Sequence, residues 1–112
     1  MPATSAEVVD GVTVLAPSGR IVIDNSFQLR EDVRSALEDG AKKILLNLGE
    51  VTTVDSSGIG ELVSAYTAVN NQGGQLKLAE LPRKLYDLPS ITKLLVIFEV
   101  FDTEEEAVAS FS

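Results

Sequence analysis

The sequence contains neither cysteine nor histidine. Without them no thiolate nucleophile, no Ser-His-Asp triad and no zinc site of His or Cys ligands can be assembled. Cationic residues are also scarce: nine Lys and Arg stand against 17 Asp and Glu, a formal net charge of −8. That balance repels nucleic acid, and no Lys/Arg cluster supplies a compensating patch, so no nucleic-acid partner is expected. The acidity suits a basic or mixed protein surface, and equally suits plain solubility. Long apolar runs are missing too. None approaches the ~18 residues of a membrane span, so no membrane insertion is expected. The opening Met1-Pro2-Ala3-Thr4-Ser5-Ala6-Glu7 has no basic stretch followed by an apolar one, so it predicts no secretory signal. Together with the lack of cysteine this makes the cytoplasm the expected location.

What remains is enough for one core. A chain of 112 residues, 45% of them apolar, predicts a single domain over 1–112. Glu7–Asp10 and Val12–Ala16 read as two strands around a tight turn at Gly11. Arg20–Ile23 reads as a third strand, or as the second resumed after a kink. Asp24, Asn25 and Ser26 are N-cap candidates for a helix with Leu29, Val33, Ala36 and Leu37 on one face, ended at Gly40. Ile44–Leu48 is an unbroken apolar run, which predicts a strand buried on both faces. Gly49–Val54 reads as a connection. After it, Ile59, Leu62, Val63, Tyr66 and Val69 recur at helical spacing, so a helix begins near Gly58 and stops at Asn70–Gly74. Gln75–Leu81 alternates like an amphipathic strand. Pro82 opens a short helix through Leu88. Ile91–Leu95 is ambiguous, and Val96–Phe101 reads as a last strand. Asp102 or Thr103 caps a terminal helix with Ala107, Val108 and Phe111 inward; Phe98 and Phe101 also read as core. Strands alternating with helices predict an α/β fold, with the helices after Asp24 and after Ser57 on one face of the sheet over one core.

The chain is organised around Val54-Asp55-Ser56-Ser57-Gly58-Ile59-Gly60-Glu61. Here a strand hands over to a helix, whose first N–H groups lack intrahelical acceptors and favour negative charge. Ser and Asp are preferred N-caps, and Gly is common where a strand turns sharply into a helix, so a purely structural reading is available. A cap needs only one side-chain oxygen, however. With two serines and an aspartate at the junction, at least one hydroxyl is left for the surface. The residues alone leave open which serine caps the helix and which stays free.

Other motifs carry less. Gly58-Ile59-Gly60 starts like a dinucleotide fingerprint, but Val63 stands at the third glycine and no phosphate-gripping lysine follows. The nucleophile-elbow pattern is absent. Asp24, Asp55 and Glu61 are carboxylates that acid–base chemistry could pair, yet nothing in the spacing fixes their separation. Glu104-Glu105-Glu106 suits the first turn of a helix. The expectation is a protein that is not an enzyme, with no catalytic residues, no metal and no cofactor.

Across these segments the chain resembles the STAS family, in its anti-sigma factor antagonist branch. The resemblance is carried by Leu46-Asn47-Leu48, by the D-S-S-G-I/L-G element at Asp55–Gly60, by the turn at Gly73-Gly74, and by Phe101, Glu105 and Ala107 at the close. It implies a single α/β domain, a mixed sheet of four to six strands with about four helices packed on it. It implies a switch: an anti-sigma factor that is also a serine kinase, of the histidine-kinase ATPase fold, binds the unmodified protein and phosphorylates Ser56, which leaves Ser57 as the hydroxyl expected to cap the helix. A metal-dependent serine phosphatase resets it. Asp24, Asp55, Ser56, Ser57, Gly58, Ile59 and Glu61 are the implied partner-binding residues, and a homodimer is a further partner to consider. The alternative within the family is a constitutive, unphosphorylated interaction subunit of a transporter or signalling assembly. The chain departs from the family pattern at Val22, where an acidic residue is usual and Asp24 follows two residues later, and across Pro82–Phe101, where Pro89-Ser90 replaces the usual small-residue-plus-glycine turn and Leu94–Phe98 is more apolar than the family pattern.

Overall fold

The computed structural model describes residues 4–22, 26–88 and 91–111. Strands β1 (Thr4–Val9) and β2 (Val12–Pro17) form an antiparallel hairpin. Its turn holds Asp10 and Gly11 at φ 51° and 82°, the doubly left-handed geometry that matches strand twist in a two-residue loop. β3 (Gly19–Ile21) and helix α1 (Ser26–Glu38) follow, then β4 (Lys43–Asn47), β5 (Val51–Val54) and helix α2 (Ser56–Asn71). The chain ends with β6 (Gln75–Ala79), a 3-10 turn at Arg83–Asp87, α3 (Ile91–Ile97), β7 (Val100–Phe101) and α4 (Glu104–Ser110).

Five strands form a mixed sheet in the order β1-β2-β4-β6-β7, parallel except for the first pair. β4 lies at its centre, and Ile44, Leu45 and Leu46 are fully buried, as a strand covered on both faces requires. Alternation along the strands divides the interior. Leu15, Ile44, Leu46, Leu76 and Leu78 face α1, α2 and α3, whereas Val12, Val14, Leu45 and Ala79 face Ala107 and Val108 of α4 and Phe111 just after it. The expected single core is therefore two apolar layers separated by the sheet. α1 and α2 do share a face.

Several elements differ from their sequence reading. Gly49–Val54 is more than a connection: β5 pairs in parallel with β3, making a separate two-stranded sheet beside the main one. Val96 and Ile97 belong to α3, because burying Ile91 and Leu94 three residues apart carries the segment through a helical turn, and only Val100 and Phe101 reach β6. Strand β6 is buried along most of its length, Lys77 included, so its alternation marks two covered faces and not an exposed one. Phe98 and Phe111 are buried and Phe101 is half-buried. The terminal helix is capped by Thr103, whose Oγ1 accepts from the Glu106 N–H at 3.1 Å. Of the proposed caps for α1, Ser26 is the helix's first residue, and Asp24 and Asn25 lie outside the described residues, as do Ile23, Pro89 and Ser90.

Candidate site at the start of helix α2

The junction is built from below by the two-stranded sheet. Asp55 leaves β5 with an extended backbone, and its N–H donates to the Ile21 carbonyl at the end of β3 (3.2 Å). Its own carbonyl accepts the first helical bond, from Ile59 N–H at 3.0 Å. Its side chain completes the cap: Asp55 Oδ1 accepts from the Gly58 N–H at 2.9 Å. The cap is thus Asp55 and not Ser57, and the helix starts at Ser56, two residues earlier than periodicity predicts. The reason is geometric. A carboxylate on a residue with extended backbone reaches the third helical N–H, whereas Ser57 already lies inside the first turn.

Gly58 is needed for this close approach. A Cβ there would stand 2.5 Å from the Ile21 carbonyl oxygen and 2.7 Å from Val54 Cγ1, so only a residue without a side chain lets α2 seat on β3 and β5. Gly60 is different. It is exposed, and a Cβ on it would meet nothing within 4 Å.

Of the residues expected to meet a partner, Ser56 is exposed; Asp55, Ser57 and Glu61 are half-buried; Gly58 and Ile59 are buried and support the surface from beneath. Glu61 Oε2 forms an ion pair with Arg30 Nε of α1 at 3.4 Å, tying the two helices one turn beyond their starts. Asp24 lies outside the described residues. Val22, at the usual acidic position, is half-buried, and its carbonyl accepts the Ser26 N–H at 2.8 Å where α1 begins.

Two features near this end were not read from the sequence. A groove of about 220 Å³ runs between α2 and α3, lined by Ser56, Ile59, Gly60, Val63, Lys93 and Ile97. α3 is held there by an edge-to-face contact of Tyr66 with Phe98, ring centroids 5.1 Å apart. Large apolar side chains are also exposed: Phe27 in the first turn of α1 at 49%, and Val96 on α3 at 85%. Sequence patterning could not separate these from core residues, since their exposure follows from which face each helix turns inward. A larger cavity, about 510 Å³, lies under β1, β2 and the second half of α1, and Ser56 is not among its lining residues. Among the described residues no cluster of acidic groups could hold a metal ion, and no helix is long and apolar enough to cross a membrane.

Residues 3–107 match the family described as STAS domain. The anti-sigma-B factor antagonist of Bacillus subtilis is 34% identical over 91 residues, spanning 81% of this chain and 83% of that protein. The crystal structure of the Thermotoga maritima protein TM1081 superposes with a TM-score of 0.84 at 29% identity, over 95% of this chain and 92% of that one. The Bacillus anti-sigma factor antagonist SpoIIAA has been solved unphosphorylated and phosphorylated. Those structures give TM-scores of 0.70 and 0.71 at 23% and 22% identity, over 96% and 98% of this chain and 96% and 100% of theirs, a likeness of fold.

Proposed function

This chain belongs to the STAS family, and on that premise we propose that it is a cytoplasmic anti-sigma factor antagonist, a non-enzymatic binding module switched at Ser56. The observation that carries the reading is the division of labour at the junction. Asp55 makes the cap, so the exposed hydroxyl next to it is not needed to start the helix. That leaves a serine that a kinase can reach without unfolding anything.

In this reading the unmodified surface around Ser56 binds an anti-sigma factor that is also a serine kinase of the histidine-kinase ATPase fold, which frees the sigma factor. Ser56 Oγ then attacks the γ-phosphorus of the kinase's ATP. The bond from that phosphorus to the β-phosphate oxygen breaks, and the hydroxyl proton passes to a base on the kinase. The product carries about −1.5 to −2 charges beside the Asp55 carboxylate. Within the chain, the start of α2 tolerates that charge, because its first N–H groups point toward it. Under a docked partner the same charge must be stripped of water, which costs affinity. Release needs no refolding. A metal-dependent phosphatase restores the hydroxyl by hydrolysis.

The test is to incubate the purified chain with candidate kinase partners and ATP, and to map phosphate by mass spectrometry. A single phosphate on Ser56 is expected. Ser56→Ala is expected to keep partner binding and to accept no phosphate. Ser56→Asp is expected to bind at least ~10-fold more weakly, equivalent to about 1.4 kcal/mol. Tight binding to a partner with no phosphate from any kinase would instead make the chain a constitutive interaction subunit.

A further inference from the structure

The groove between α2 and α3 places one cation across from Ser56. Lys93 on α3 and Ser56 on α2 line the same cleft of about 220 Å³, with Ile59, Val63 and Ile97 as its apolar walls. Lys93 is exposed, and among the described residues it has no carboxylate partner. The nearby carboxylates are otherwise engaged: Asp55 caps α2, and Glu61 is paired with Arg30 on the α1 side.

Gly60 supplies an independent observation. It sits inside α2, where glycine costs roughly 0.5–1 kcal/mol relative to alanine. Gly58 has a packing reason for its missing side chain. Gly60 has none, because a Cβ there touches nothing. What Gly60 does is line the groove beside Ser56 and leave it open. The fold thus gives up helix stability at a groove-lining position of α2 where a side chain would meet no packing neighbour.

We propose that this groove is the seat of the phosphoryl group once Ser56 carries it, with the Lys93 ammonium as its counterion. The inference rests on the reading of Ser56 as the modified residue, and it adds what holds the modified state. Phosphoryl oxygens carried on Ser56 Oγ accept from the Lys93 ammonium across the cleft. The phosphate is then fixed on α2 and does not swing into bulk water. The seat keeps the charge in one position against an approaching partner, and it occupies Lys93, which the unmodified protein leaves available.

The test installs phosphoserine at position 56 during synthesis of the full chain, so no natural kinase is required. The ³¹P resonance is then titrated with pH in the parent, in Lys93→Gln, in Lys93→Arg and in Lys42→Gln, Lys42 being a lysine at the far end of α2 that donates to the Gln72 carbonyl. The second proton of phosphoserine ordinarily leaves near pH ~6. A cation in the seat favours the dianion, so the midpoint of the parent is expected to lie below that of Lys93→Gln by roughly half a unit, the size of an exposed pair. Lys93→Arg should retain the lower midpoint, Lys42→Gln should match the parent, and the difference should shrink in high salt. Asp55, Glu61 and the helix terminus are common to all four proteins and cancel. A midpoint identical in the parent and Lys93→Gln overturns the proposal, as does an equal shift in Lys42→Gln. Failure of the Ser56 switch itself would appear elsewhere, as absence of phosphate after incubation with kinases, and would leave this titration unchanged.

Discussion

At the residue scale, Asp55, Ser56, Gly58 and Gly60 each do different work within a single helical turn and a half. Asp55 satisfies the third N–H of α2. Asp55→Ala should lower unfolding free energy by about 0.5–2 kcal/mol, while Asp55→Asn, which still offers an oxygen, should stay close to the parent. An Asp55→Ala chain as stable as the parent in a denaturant titration would return the cap to Ser57. The two glycines should respond with opposite signs. Gly58→Ala drives a methyl group to 2.5 Å from the Ile21 carbonyl oxygen and should destabilise by ~1–3 kcal/mol. Gly60→Ala meets nothing and should stabilise by about 0.5–1 kcal/mol. Midpoints that move together would mean that a side chain at position 60 meets packed neighbours on the groove side of α2.

At the element scale, α4 is fastened to the sheet by a lysine. Lys77 on β6 is only 7% exposed, and its Nζ donates to the Ser110 hydroxyl at 3.0 Å and to the Ser110 carbonyl at 3.3 Å. It lies over the Phe111 ring, 4.7 Å from the centroid, and 3.6 Å from a carboxylate oxygen of Glu99. The aliphatic stem fills the layer under α4 while the ammonium satisfies the helix's last turn. Truncation removes both at once. Lys77→Ala should cost about 2 kcal/mol or more, and amide exchange should accelerate first along α4. Uniform acceleration across the sheet would mean that α4 is not an independent fastening. The same scale explains why α2 presents its start so firmly: β3 and β5 are very short strands, yet they hold the Ile21 carbonyl where the Asp55 N–H donates to it and where Gly58, lacking a side chain, leaves room for it.

At the scale of the whole molecule, a formal charge of −8 on 112 residues favours encounter with a partner of opposite sign. On the proposed function, association with the kinase partner should therefore slow on going from about 0.01 M to 1 M salt, as the Debye length falls from about 30 Å to 3 Å. Stopped-flow rates at several salt concentrations check this, with a loss of ~10-fold or more expected. A rate indifferent to salt would mean that the acidity serves solubility alone.

Much of this molecule was legible in the linear sequence, because its strongest signals are local. The unbroken run Ile44–Leu48, the helical recurrence from Ile59 to Val69 and the acidic first turn of the last helix depend on near neighbours and stand where patterning places them, and the strand-to-helix junction at Asp55–Gly60 is found there with its helix starting two residues earlier. The absence of histidine and cysteine likewise rules out a Ser-His-Asp triad, a thiolate nucleophile and a His/Cys zinc site by composition alone. Other features needed the tertiary structure. Which oxygen caps α2 depends on backbone angles at Asp55. The strand character of Val51–Val54 exists only because β3 (Gly19–Ile21), far back along the chain, lies beside it. The burial of Lys77 depends on α4 folding over it, and the cleft joining Ser56 to Lys93 depends on α3 docking against α2. Periodicity states which face of an element is apolar, but contacts between residues distant in sequence decide what that face meets, and those contacts are set by the packing of the whole chain.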